Sequence, residues 1–295
     1  MLSNLNHVGF NITKNKLQLV EVVKESSKYC LENVNEHIFD EEFGFNIEES
    51  KIISILQTSL NSISNKISLK SKNISFSLPL SEFQIFEIPF EKSLSNTELI
   101  EHVRWEFSIL YPMFNASDYI IRTLHLVSIE NENRILVIGL LNKTVNTLLK
   151  FSLQNNFIIK FIDSAHFSSD SNILLKDRKK TLSIYVDNSF CSINSYLGIE
   201  LHSTKKIELV NNSNLVNSIY EFWEFQNMAY DNIFMASSIE TEMHKNELEQ
   251  KINNPIKVIN PFQSIDVSKS FIQNAHFLNN ANLFSSAAGI CYRKF

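Results

Sequence analysis

The chain has 295 residues, 44% of them hydrophobic and 23 of them phenylalanine, enough to bury one large core or two ordinary ones. Its formal net charge is −5 and its bases are scattered, apart from the run KDRKK at 176–180, which reads as a solvated loop; this excludes the basic footprint of a nucleic-acid binder. The five glycines, Gly9, Gly44, Gly139, Gly198 and Gly289, share no loop, so the clustered glycines of a phosphate cradle are missing.

In chain order, residues 7–12 and 17–23 alternate as strands around a Thr-Lys-Asn-Lys turn and predict an opening hairpin. Ile52, Ile53, Leu56, Leu60 and Ile63 recur at helical spacing, and 73–78 reads as a strand. A strand over 83–88 ends at Pro89, and a helix over 95–110, with Leu99, Val103 and Phe107 on one face, stops before Pro112. Strands follow at 119–127 and 134–140, the second with the continuous apolar run of a buried element. A helix through Val145, Leu148, Leu149 and Leu153 and a strand at 157–162 then predict a βαβ step.

Near residue 178 the pattern restarts with three strands, at 181–186, 190–197 and 199–209. A helix (215–225), a strand (232–235), a charged helix (239–252), a strand (256–259) and a last helix (283–292) complete the chain. Two halves therefore each open with a β-meander and continue as α/β, without a literal sequence repeat. Cys30, Cys191 and Cys291 are far apart and form no C-x-x-C, which suits buried thiols in a reducing compartment, so a cytoplasmic location is expected. No charged start followed by an apolar run and no stretch of eighteen apolar residues occurs, so neither a signal peptide nor a spanning helix is expected.

Several motifs, in order along the chain, resemble the actin-like fold and within it the PilM proteins of type IV pilus assembly, relatives of FtsA in division and GspL in type II secretion. Gly9-Phe10-Asn11-Ile12-Thr13, followed by Leu17, Leu19, Val20 and Glu21, is similar to that family's opening G-I-D-I-G and its next strand. Leu78-Pro79, Ile88-Pro89-Phe90, Glu98-Leu99, Trp105-Glu106 and Pro112 resemble its next run of motifs, and Ile162-Asp163, Asn260-Pro261-Phe262 and the segment 284–290 its later ones. The resemblance implies an α/β, ribonuclease H-like fold in two halves, 1–178 and 179–295. It also implies a small α+β module inserted at about 81–127 and a reduced second half, because only about thirty residues separate Gly198 from Asp231, where the family inserts a subdomain that closes over nucleotide.

The family holds ATP between its halves, and the positions that match its nucleotide loops are degenerate here. Asn11 stands where its Asp serves Mg²⁺ and water, and Thr13 where a Gly lets backbone approach phosphate. Asp187 keeps the acid of the second hairpin, but Ser189 replaces its glycine, and Ser237 lies in Met235-Ala236-Ser237-Ser238 where a Gly pair is expected. The expectation is a pseudo-ATPase with no catalytic residue, cofactor or metal. The resemblance further implies a cytoplasmic scaffold at the inner face of the membrane that binds the cytoplasmic N-terminal peptide of a PilN-type protein in a groove of its first half, with the contact residues unknown. The alternative is an active actin-like ATPase; a GspL-like place in a secretion platform differs only in its client.

Other candidates have plainer readings. Asp187 before Asn-Ser reads first as a turn residue bonding its own backbone. His102 lies four residues from both Glu98 and Glu106, the spacing of a helix salt bridge, and no third ligand accompanies it. Cys191 reads as a core thiol, and no G-x-S-x-G surrounds a serine. Trp105 and Trp223, with Phe107 and Phe225 two residues on, suit either a core or a partner's anchors.

Overall fold

The structure, a computed structural model, describes residues 6–25, 28–91, 93–127, 133–173, 179–209, 214–239, 242–263 and 265–293. The basic run at 176–180 and the expected boundary at 178 lie mostly outside them.

The first half opens as an antiparallel meander of β1 (His7–Ile12), β2 (Lys16–Glu25) and β3 (Lys28–Ile38). Then α1 (Glu49–Ser64) buries Ile52, Leu56, Leu60 and Ile63 along one stripe, each worth about 1.5–3 kcal/mol of burial. It returns the chain to β4 (Asn73–Leu78), which lies parallel to β1. The sequence pattern hides β3 because its buried side chains include polar ones. Asn33 and Asn35 are buried beside Leu31 and Val34, and Asn33 Nδ2 donates to the buried Glu21 at 2.6 Å. Glu21 also accepts from the Lys70 and Ser71 amides, so this polar pairing is satisfied.

After β4 comes the inserted module, with β5 (Phe83–Pro89), α2 (Asn96–Leu110), β6 (Tyr119–Leu126) and β7 (Arg134–Leu141). Its antiparallel sheet has the order β5-β7-β6. Ser95 and Glu98 close a capping box at the start of α2, and Phe107 sets its ring 4.9 Å from Tyr119 and 6.0 Å from Phe86. The insert thus runs on to Leu141, past the expected end at 127, because β7 is its central strand and not part of the main sheet. The continuous apolar run of β7 does mark two covered faces. One packs Ile135 and Val137 under α2, and the other packs Leu136 against Phe167, Tyr196 and Leu201.

From the insert, α3 (Asn142–Gln154) leads to β8 (Ile158–Ser164), which lies parallel to β4, and α4 (Ala165–Asp170) crosses to the second half. That half repeats the scheme with β9 (Lys180–Val186), β10 (Phe190–Leu197), β11 (Glu200–Glu208), α5 (Leu215–Gln226), β12 (Asn232–Ser237), α6 (Glu242–Ile252) and β13 (Ile256–Val258). The sheet orders β3-β2-β1-β4-β8 and β11-β10-β9-β12-β13 are the same path, antiparallel through the meander and parallel afterwards. The duplication therefore lives in topology. Among the described residues α5 is the one helix between β11 and β12, as the short spacing in sequence required.

The chain's end corrects the expectation that everything after 179 belongs to the second half. The short β14 (Asp266–Val267) pairs with β3, a 3₁₀ stretch runs over Lys269–Phe284, and α7 (Ser285–Gly289) is a single turn rather than a helix over 283–292. Phe262, Phe271, Phe284, Ala287 and Ala288 pack on Val20, Val22, Leu31 and Val34 of the first sheet. Small residues allow this close crossing. A Cβ on Gly289 would lie 1.8 Å from the Ser168 carbonyl oxygen, and one on Gly9 1.9 Å from that of Ala287.

Candidate functional site: the cleft between the halves

The first hairpin turn, β1 to β2, and its counterpart, β9 to β10, face each other across a cleft of about 270 Å³. Asn11, Thr13, Asp187 and Ser189, four of the five positions singled out in the sequence, line it together with Lys14, Glu82, Phe43, Phe45, Asn188 and Ser238. Ser237 does not: it turns into a separate hollow with Glu242 and Lys245, and its hydroxyl accepts from the Ile239 amide at 2.9 Å, leaving Ser238 at the cleft. The volume falls just below the roughly 300–1,000 Å³ of most small-molecule pockets.

Several backbone amides of both turns are bonded within the turn. Thr13 Oγ1 accepts from the Lys16 amide at 3.1 Å and the Asn15 amide at 3.4 Å, while the Thr13 amide donates to Lys16 O at 2.9 Å. The loop over 39–46 is stitched across this turn, the Phe39 amide donating to Asn15 O and the Phe43 amide to Lys14 O. Its aromatic rings continue from there, Phe39 on Phe43 at 5.2 Å and Phe43 on Phe45 at 5.1 Å. Asn11 Nδ2 donates to Gln18 at 2.9 Å. On the other side Asp187 Oδ1 accepts from the Ser189 and Phe190 amides at 2.8 and 2.7 Å, the turn reading its sequence suggested.

Two carboxyls, Glu82 and Asp187, and the lysine Lys14 line the cleft. Burial pushes the Asp187 carboxyl above the usual carboxylate range and pushes Glu82 up to about 7, with Lys206 opposing both shifts. Lys206, its own pKa lowered by burial, lies 4.4 Å over the Phe190 ring and donates to Phe83 O at 2.8 Å. Lys14, which lines the cleft, pairs with Glu42 at 3.0 Å.

Contacts that sequence reasoning missed hold the two halves together. Asp170, at the end of α4, accepts from Asn194 Nδ2 at 2.7 Å, from Tyr196 Oη at 2.6 Å and from the Ser183 hydroxyl. His166, one turn earlier, hydrogen-bonds the hydroxyls of Ser192 and Ser183 at 2.8 and 3.2 Å, and its burial lowers its pKa. The insert adds a second clasp on β11. The Val127 amide donates to Leu201 O, Arg134 Nη2 to His202 O and the Thr204 amide to Glu87 Oε1, at 2.9, 3.1 and 2.6 Å. No pattern of type or spacing marks these residues, because each partner is distant in sequence.

The remaining candidates are placed plainly. His102 approaches Glu106 at 3.9 Å, Glu98 serves the cap of α2, and the described residues hold no group of three His, Cys, Asp or Glu able to bind a metal. Cys191 is a buried core thiol whose pKa burial raises. Phe107 is core, whereas Trp105 and Phe225 are 58% and 84% exposed, and Trp223 stacks on Tyr220 at 5.7 Å.

No protein-family model and no curated protein sequence matches this chain. Among solved structures it is similar, at 12% identity and a TM-score of 0.78 with 98% of each chain covered, to a chain of a PilM-PilN type IV pilus biogenesis complex. It is also similar to a Bacteroides thetaiotaomicron protein of actin-like ATPase fold and unknown function, at 13% identity and a TM-score of 0.56 over 98% of this chain and 96% of that one. A third is the cytoplasmic domain of EpsL, an inner-membrane component of the type II secretion system of Vibrio cholerae, at 7% and 0.52 over 95% of this chain and 98% of that one. The chain therefore has an actin-like α/β fold, and its likeness to the chain from the PilM-PilN complex runs along nearly its whole length.

Proposed function

We propose that the chain is a non-catalytic scaffold of a type IV pilus-like or type II secretion-like inner-membrane platform. It works in the cytoplasm at the inner face of the membrane and binds the cytoplasmic N-terminal peptide of a PilN-type membrane protein. The overall likeness to a chain of a PilM-PilN complex supports the system. Among the described residues no helix is long and apolar enough to cross a membrane, which agrees with a partner that supplies the anchor.

The observation that carries the non-catalytic part is the state of the two hairpin turns, where the Asn15 and Lys16 amides are bonded to Thr13 and the Ser189 and Phe190 amides to Asp187. A Mg·ATP cradle needs those amides free and an acid at position 11. Here Asn11 stands at that position, and the cleft presents Glu82 and Asp187 to an anion. Losing several such contacts, each worth a few kcal/mol, takes affinity from micromolar to negligible. The competing reading, an active actin-like ATPase, draws on the persistence of a cleft with Asp187 in place. Co-expression with the membrane protein encoded beside it tests the scaffold directly: the two should co-purify through that protein's cytoplasmic tail, and an absence of association would count against the reading.

A further inference from the structure

The insert carries an unusual share of exposed apolar surface for an acidic chain, with Ile100, Trp105, Ile109, Leu110, Met113 and Phe114 between 43% and 90% exposed. Within it, α2 and β6 bound a groove of about 370 Å³ lined by Ile100, Val103, Arg104, Ile121, Arg122 and Thr123. Strand β6 ends its sheet, and no described strand pairs with its outer edge, so backbone N–H and C=O groups along that edge lack ladder partners. Arg104 and Arg122 are both exposed, and neither makes an ion pair or hydrogen bond with a described residue. Arg104 and Arg122 set two guanidinium groups beside this apolar floor, on a segment whose α2 also carries Glu98, Glu101 and Glu106.

We infer that this groove receives an extended acidic peptide of another protein, which adds to β6 as a fourth strand. Its apolar side chains, on the face toward α2, rest on Ile100, Val103 and Ile121 of the groove with Arg104 at their rim, and an intervening Asp or Glu, on the opposite face, pairs with Arg122, which lies beside Ile138 on the face away from α2. Each element has a physical reason. The free edge supplies main-chain hydrogen bonds, the alternation of a strand separates the apolar from the acidic contacts, and guanidinium groups match carboxylates in fork geometry. The eight residues of β6 set the length of the added strand at roughly five to eight residues. The inference rests on the reading of the chain as a platform for peptide tails, and it names the chemistry of the tail.

Random twelve-residue peptides displayed on phage and panned against the full chain test it, with R104E/R122E as the parallel target. Selected peptides should place Asp or Glu among alternating apolar residues. Their synthetic versions should bind at least roughly tenfold more weakly to R104E/R122E and lose affinity with added salt. Because both arginines are exposed and unpaired, the variant should keep the melting temperature and circular dichroism of the parent; should it not, R104Q/R122Q takes its place with the same expected loss. The inference is overturned by selections without acidic residues, by no enrichment on the parent over the variant, or by binding that both substitutions leave unchanged. A concentration-dependent dimer abolished by R104E/R122E would also overturn it, since the occupant would then be a second copy. Failure here with the membrane partner still co-purifying removes the groove and spares the scaffold; peptide binding without that partner does the reverse.

Discussion

Replacing Asp170 by Ala tests the account of how the halves are held. The carboxylate, 6% exposed, is the shared acceptor for Ser183, Asn194 and Tyr196, which reach it from β9 and β10, while His166 Nε2 stands 3.5 Å away. D170A strands three buried donors at about 1–3 kcal/mol each, of which local repacking recovers part, leaving about 3–6 kcal/mol. For a chain of this size that is a fall in melting temperature of about 10 °C. D170N, which keeps one acceptor oxygen, should lose about half as much. Thermal and urea unfolding followed by circular dichroism measure the loss, and hydrogen exchange should show faster opening in α4, β9 and β10 before the first sheet. A D170A protein melting within about 2 °C of the parent, with exchange unchanged, would refute the reasoning that this polar seam joins the halves.

Three further outcomes are expected. Glu82 has its folded pKa raised to about 7 by burial, so its ionisation destabilises the folded state as pH rises from the ordinary carboxylate range through 7. E82Q should therefore match the parent near pH 4 and exceed it at pH 8 by an amount on the order of 2–3 kcal/mol, read from urea midpoints across pH. Gly9→Ala would push a methyl group into the Ala287 carbonyl and Gly289→Ala one into the Ser168 carbonyl. Each should cost more than about 3 kcal/mol or abolish soluble expression, whereas Gly44→Ala, which meets first the side chain of Asn46, should be far milder. Trp105→Ala should leave the melting temperature within about 2 °C, because the indole is 58% exposed, yet weaken capture of the membrane partner if that face of α2 is used.

Where the sequence carried physical periodicity, it was legible. The stripe of α1, the extent of α2, the opening hairpin and the three-strand start of the second half follow from apolar spacing and turn residues, and the matching topology of the halves follows from their order. The misses share one cause, which is that a buried surface need not be apolar and a strand does not announce its partner. Asn33 and Asn35 disguised β3, and β7 showed two covered faces without saying which elements cover them. Phe262, Phe271, Phe284, Ala287 and Ala288 returned to the first sheet through packing that depends on Gly9 and Gly289. In the cleft, Asn11, Thr13, Asp187 and Ser189 were found through the resemblance and do converge, while Ser237 yields its place to Ser238 by a one-residue shift that strand alternation decides.

The central claim, that the cleft of an actin-like fold serves here as structure and not as a nucleotide site, is tested most directly by thermal unfolding with and without Mg·ATP. Nucleotide at one hundred times its dissociation constant would add about 2.7 kcal/mol and raise the melting temperature by several degrees. The account predicts no shift at millimolar Mg·ATP. A saturable rise of several degrees, abolished by substituting Asp187, would contradict it.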